Sequence, residues 1–195
     1  GLAVGDLMIV NIMISDDDSD NVSGGASLSG WSNLASQGWS NGALQGRWQG
    51  NILWKIADLS DASAASFTFT LDADNERAVG GLIAFSGVDN SDPFINGTLT
   101  VENGLTDLGD VDAGGITTTT ANAAIVMLGM ACGNISFSNW ATASAPNDLI
   151  ELYDANIVDG GSFPNPDADC AVGAAWDLKP IAAITGDGSA TLSFA

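Results

Sequence analysis

Gly5-Asp6-Leu7-Met8-Ile9-Val10-Asn11-Ile12-Met13-Ile14 runs directly into Ser15-Asp16-Asp17-Asp18-Ser19-Asp20-Asn21. An apolar run bounded by a Gly-Asp turn signal and an acidic loop reads as a buried strand. Met8, Val10, Ile12 and Ile14 form one wholly apolar face. Leu7, Ile9 and Met13 form the other, interrupted by Asn11. A strand that is apolar on both faces needs cover on both, so it belongs at the centre of a sheet. The run is too short for a membrane helix, which needs about 20 apolar residues.

The remaining strand signals spread outward from this one. Ile52-Leu53-Trp54-Lys55-Ile56-Ala57 alternates, and residues 58–65 read as a turn or short helix. Ser66-Phe67-Thr68-Phe69-Thr70-Leu71 is the cleanest alternation, with Phe67, Phe69 and Leu71 inward and the polar residues outward. Residues 78–88, 123–131, 149–153, 171–178 and 190–194 read as further strands, 116–120 as an edge strand, and 134–140 as a short polar segment. Residues 23–50, rich in Gly, Ser and Trp, read as long loops with short edge strands, and 89–115 as a turn-rich connection. No long stretch has helical periodicity. The expected fold is therefore all-β, an antiparallel jelly-roll-like β-sandwich forming one domain over residues 1–195. Residues 7–14 rhyme with 124–131, the strand at Trp54 with that at Trp176, and 66–71 with 190–194. This predicts two pseudo-repeated halves, 1–115 and 116–195.

Composition excludes several functions. Twenty-four acids face four cations, Arg47, Lys55, Arg77 and Lys179, for a net charge of -20. Such a chain opposes the phosphate backbone of nucleic acids and anionic lipid. It favours cations, cationic partners and a saline setting. There is no histidine, which removes the commonest general base and transition-metal ligand. Cys132 and Cys170 lie outside any CxxC pair, so zinc and redox motifs are absent. Cys132 ends one strand and Cys170 precedes another, so a disulfide between them is expected. The chain opens at Gly1 without a signal-peptide pattern, which fits a processed product or a segment of a longer chain. No membrane span is legible. Asn21, Asn96 and Asn134 begin glycosylation sequons.

Three candidate sites follow. Asp16, Asp18 and Asp20, and again Asp72, Asp74 and Glu76, place acids at alternate positions, a pattern that suits hard cations such as calcium. Neither loop matches the EF-hand, and a solvated acidic loop is the competing reading. Trp31, Trp39, Trp48 and Trp140 are candidates to stack on glycan faces, against the competing reading of core or subunit-interface packing. Abundant loop aspartates make a glycosidase-like acid pair available by chance alone. No Gly-x-Ser-x-Gly elbow accompanies them, so no enzyme is expected and no cofactor is required.

Gly5-Asp6-Leu7-Met8-Ile9-Val10, Gly30-Trp31, Trp54-Lys55-Ile56-Ala57, Phe67-Thr68-Phe69 and Ala84-Phe85-Ser86-Gly87-Val88-Asp89, with Pro93-Phe94 following, occur in that order. This order resembles a β-sandwich module of phage structural and tail-associated proteins and of secreted bacterial surface proteins. The chain departs from it at 31–33, where that family tends to have Gly-Trp-Thr after a proline. The resemblance implies a non-catalytic module, extracellular or on a virion surface, with protein subunits as partners. It carries over no active site. A bacterial surface or filament subunit with an adhesive role, and a carbohydrate-binding module, are the alternatives. Modules of this family usually place a strand before the first buried one. Its absence here predicts an open sheet edge beside residues 5–14.

Overall fold

The computed structural model describes residues 1–16, 25–40, 47–71, 77–94, 109–158 and 169–194. Within these, the regular secondary structure is almost entirely strand, in three antiparallel sheets, as the alternation requires. It divides into two compact units. One comprises Gly1–Pro93, Met130–Asn134 and Asn156–Val172; the other comprises Phe94–Gly129, Ile135–Ala155 and Gly173–Ala195. Among the described residues no helix is long and apolar enough to cross a membrane.

The first unit holds a four-stranded sheet. Its strands are β1 (Leu7–Asp16), β2 (Ser32–Ser40), β3 (Arg47–Ile56) and β4 (Arg77–Phe85), in the order β2-β3-β1-β4. β1 pairs with β3 from Leu7↔Ile56 to Asp16↔Arg47, and with β4 from Leu7↔Phe85 to Ser15↔Arg77. Both edges of β1 are therefore taken. This corrects the expected open edge beside residues 5–14: the strands at the sheet's margins are β2 and β4. Both faces of β1 are sealed, since Leu7 through Ser15 are all buried. Val10, Ile12 and Ile14 form a core with Ala26 and Leu53, against which Trp31, Phe69, Leu71 and Ala78 pack. On the opposite face the Ser15 hydroxyl donates to Cys170 Sγ, at 3.7 Å.

Between β3 and β4 lies the short helix α1 (Leu59–Ala62), fixed by a capping box. The Asp58 carboxylate accepts from the Ser60 and Asp61 amides at 2.8 and 3.1 Å, and Asp61 accepts from the Asp58 amide at 2.8 Å. Lys55 Nζ reaches Asp58 at 2.9 Å and Asp61 at 2.7 Å. The Ser60 hydroxyl and the Lys55 ammonium hold the Asp58 carboxyl well below the usual range. Residues 66–71 follow. They alternate as expected, with Phe67, Phe69 and Leu71 half-buried and Thr68 and Thr70 exposed, but they do not form a strand. One isolated bridge anchors them: Thr70 and Ser27 exchange both backbone bonds, each at 2.8 Å.

The second unit is built mainly from β5 (Asp110–Ala113), β6 (Ala123–Cys132), β7 (Ile135–Thr142), β8 (Ile150–Ile157), β9 (Cys170–Lys179) and β10 (Gly188–Phe194), although β6, β8 and β9 each extend an end into the first. The sheet orders are β5-β10-β7 and β6-β9-β8. The β7–β10 ladder shifts register between Ser189 and Thr191, and Asn139 opposite takes φ 53°. This is a bulge, with asparagine at a left-handed position it tolerates. It changes the phase of β7, so that Phe137 and Trp140 both point inward although an odd number of positions separates them. Their rings stack with centroids 5.4 Å apart. Trp140 Nε1 donates to Glu151 Oε2 at 3.1 Å, and the Phe137 amide to Asp154 Oδ2 at 3.0 Å. Lys179 is buried and donates to the Ala145 carbonyl.

Candidate functional site

The sequence-derived candidates do not converge on one place. Asp18, Asp20, Asp72, Asp74 and Glu76 lie outside the described residues, and of Asp16 only the backbone, at the end of β1, is described. Among the described residues no group of three or more acids, cysteines or histidines is arranged to hold a metal ion.

The tryptophans separate by environment. Trp48 and Trp140 are core residues, 4% and 3% exposed, and offer no face to a sugar; this corrects the glycan reading for both. Trp48 spends its Nε1 donor on the Asp169 carbonyl at 3.2 Å, as a buried indole must. Trp31 is half-buried and meets Phe67 and Phe69 edge-on, with centroids 5.7 and 5.2 Å away. It braces those two rings. Trp39 lies on β2, and its side chain is outside the description.

Cys132 and Cys170 are both free thiols, so the expected disulfide is not closed. The Gly133 amide donates to the Asp169 carbonyl at 2.9 Å. Carried on antiparallel, that bond sets Cys132 opposite Cys170 at a non-hydrogen-bonded position. Cys170 Sγ is engaged elsewhere, accepting from Ser15 and donating to the Met13 carbonyl at 3.8 Å. Burial pushes both thiols up, Cys170 from 9.0 to about 11. Because the thiolate is the nucleophile, Cys170 is expected to attack a disulfide reagent at neutral pH at least about tenfold more slowly than an ordinary cysteine. Titration with Ellman's reagent checks this. Native protein should react slowly and give two thiols once unfolded without reductant. Prompt native reaction, or a count of zero, would contradict the arrangement.

What the structure does assemble is an apolar groove of about 370 Å³ in the first unit. Its floor is Val10 and Ile12 of β1 with Gly80 of β4. One wall is Phe67, Phe69 and Leu71, and the other is Ala78, Val79 and Leu82. Gly80 keeps the floor low, since a Cβ there would come within 3.1 Å of Ile12 Cγ1. Leu82 is 37% exposed, so this wall faces solvent. Among the described residues no charged side chain lines the groove, in a chain whose net charge is -20. Sequence reading identified Phe67, Phe69 and Leu71 as core and missed the groove. The available signal was the Gly80-Gly81 pair inside a strand, which marks close backbone approach or a missing side chain. A scan of family models, a search of curated proteins and a search of solved structures each find no match to this chain.

Proposed function

We propose that this protein is a non-catalytic assembly subunit of an extracellular or virion-borne structure, such as a phage decoration or tail-associated protein. The observation that carries the reading is the open groove. An apolar hollow on a strongly acidic chain, lined by no charged side chain among the described residues, supports contact with another polypeptide. Its walls come from a sheet and an extended segment, so it suits assembly by sheet extension and burial, without reacting groups. Two related jelly-roll-like halves would supply repeated strand surfaces for such assembly. That part is supported by the strand orders, in which β2-β3-β1 corresponds to β8-β9-β6. Like-charge repulsion between subunits would be relieved by salt or by cations on the acidic loops. Sedimentation of the 195-residue chain across a sodium chloride and calcium series tests the reading. Salt-promoted, concentration-dependent growth in mass is expected, alone or with the other proteins of its particle. A compact monomer in every condition and mixture would overturn it.

A further inference from the structure

We infer that the groove beside residues 66–71 is a strand-acceptor slot for an extended segment of a different polypeptide. That segment carries apolar side chains at alternate positions and lysine or arginine between them. The inference rests on the assembly reading above and names the kind of partner that reading leaves open.

The second unit provides the template. There β10 has a strand on each side, β7 on one and β5 on the other. β5 is only four residues long; Val111 and Ala113 are half-buried, and Asp110 and Asp112 are exposed. A short alternating strand therefore suffices to complete a three-stranded layer. In the first unit residues 66–71 show the same alternation, but among the described residues their ladder bonds go only to Ser27. That bonded flank lies toward β3, because the Ala26 amide donates to Asn51 Oδ1 at 3.0 Å. The other flank faces Gly80 and Leu82 of β4, where the groove runs. A strand laid there would bond to the backbone of 66–71 and lower every second side chain onto Val10, Ile12 and Leu82.

Charge selects the source. A second copy brings the same -20, and its β5-like segment reads Asp-Val-Asp-Ala, with acids at the outward positions. A strand with cations at those positions is drawn to this chain instead, and the field steers its approach. The uncharged groove adds no repulsion of its own.

The test is titration of the whole chain with a capped peptide of about seven residues, a usual strand length, alternating lysine and valine. A charge-matched peptide with serine for valine is the control. Calorimetry should show the valine peptide binding at least about tenfold more tightly than the serine one, and Leu82→Ser should remove most of that difference. Leu82 is at the surface, so the variant should keep the parent circular dichroism. On the parent protein, hydrogen exchange should slow at 67–71 on binding, which does not depend on any variant folding. Equal binding of both peptides would mean simple attraction of cations to an acidic surface, and would overturn the slot. Protection confined to other strands would do the same. Self-association that Leu82→Ser abolishes and the peptide cannot displace would assign the groove to a second copy instead. A chain that assembles yet ignores the peptide defeats this inference and leaves the assembly reading standing. A peptide-binding chain that never assembles does the reverse.

Discussion

Ile14→Ala is expected to lower unfolding free energy by about 2–5 kcal/mol, the usual range for emptying a sealed aliphatic site. Ile14 is 0% exposed and lies on the central strand, between Gln49 of β3 and Ala78 of β4. Its side chain joins the core formed with Val10, Ile12, Ala26 and Leu53. Because β1 is paired along both edges, the strand cannot shift to fill the hole without breaking two ladders. A domain is stable by only about 5–15 kcal/mol, so this single truncation removes a large share. Val4→Ala is the control. Val4 is 61% exposed, and surface changes stay within about 0.5 kcal/mol. Urea unfolding of the two variants should separate them clearly. Equal midpoints would mean that β1 is not sealed.

The second large effect is expected at Gly173. A Cβ there would stand 2.8 Å from Phe137 Cδ2 and 2.8 Å from Trp140 Cζ2. Gly129 meets the same two rings, with a Cβ at 2.6 Å from Phe137 Cε1 and 2.9 Å from Trp140 Cη2. Alanine in a strand ordinarily gains about 0.5–1 kcal/mol over glycine through chain entropy. Here the rings are buried and stacked and cannot swing away, so overpacking of about 1–3 kcal/mol outweighs that gain. Gly173→Ala should therefore destabilise where backbone preference alone says it should help. The diagnostic is a double-mutant cycle with Phe137→Leu. Relief of the clash should make the double variant more stable than the sum of the singles by about 1 kcal/mol or more. Strict additivity would show that the glycine is not there for the rings.

Much of the fold was legible because burial writes alternation into the chain. β1 reads as central from its two apolar faces, and it is central; β3, β4, β6, β8, β9 and β10 overlap the runs that alternation or apolar residues mark, whereas β7 falls on a segment that reads only as short and polar. β2 falls within 23–50, which reads as long loops with short edge strands, and β5 within the turn-rich connection. β2 lies at the margin of its sheet, and Ser-Asn-Leu-Ala-Ser-Gln-Gly-Trp-Ser carries no apolar face to read. The four residues of β5 are too few to show a period. The reverse error occurred at 66–71, where perfect alternation reports which side chains face inward but not whether a ladder partner is present. The core place of Trp140 is hidden because the bulge at Asn139 breaks the period just before it. The groove was illegible for a related reason. A cavity consists of side chains that are missing, and its walls come from segments distant in sequence.

The central place of β1 also sets a clock. Leu7 must find Ile56 on one side and Phe85 on the other. At ribosomal rates of 5–20 residues per second, the interval from Leu7 to Phe85 is on the order of 4–16 s. Throughout that time the most apolar strand of the chain has been made but cannot be closed. Its long-range pairing also places the domain among slow folders. The acids that follow at once, Asp16, Asp17, Asp18 and Asp20, therefore have a use before any native structure exists. They act as gatekeepers, keeping nascent chains apart by repulsion while the strand waits for its second neighbour.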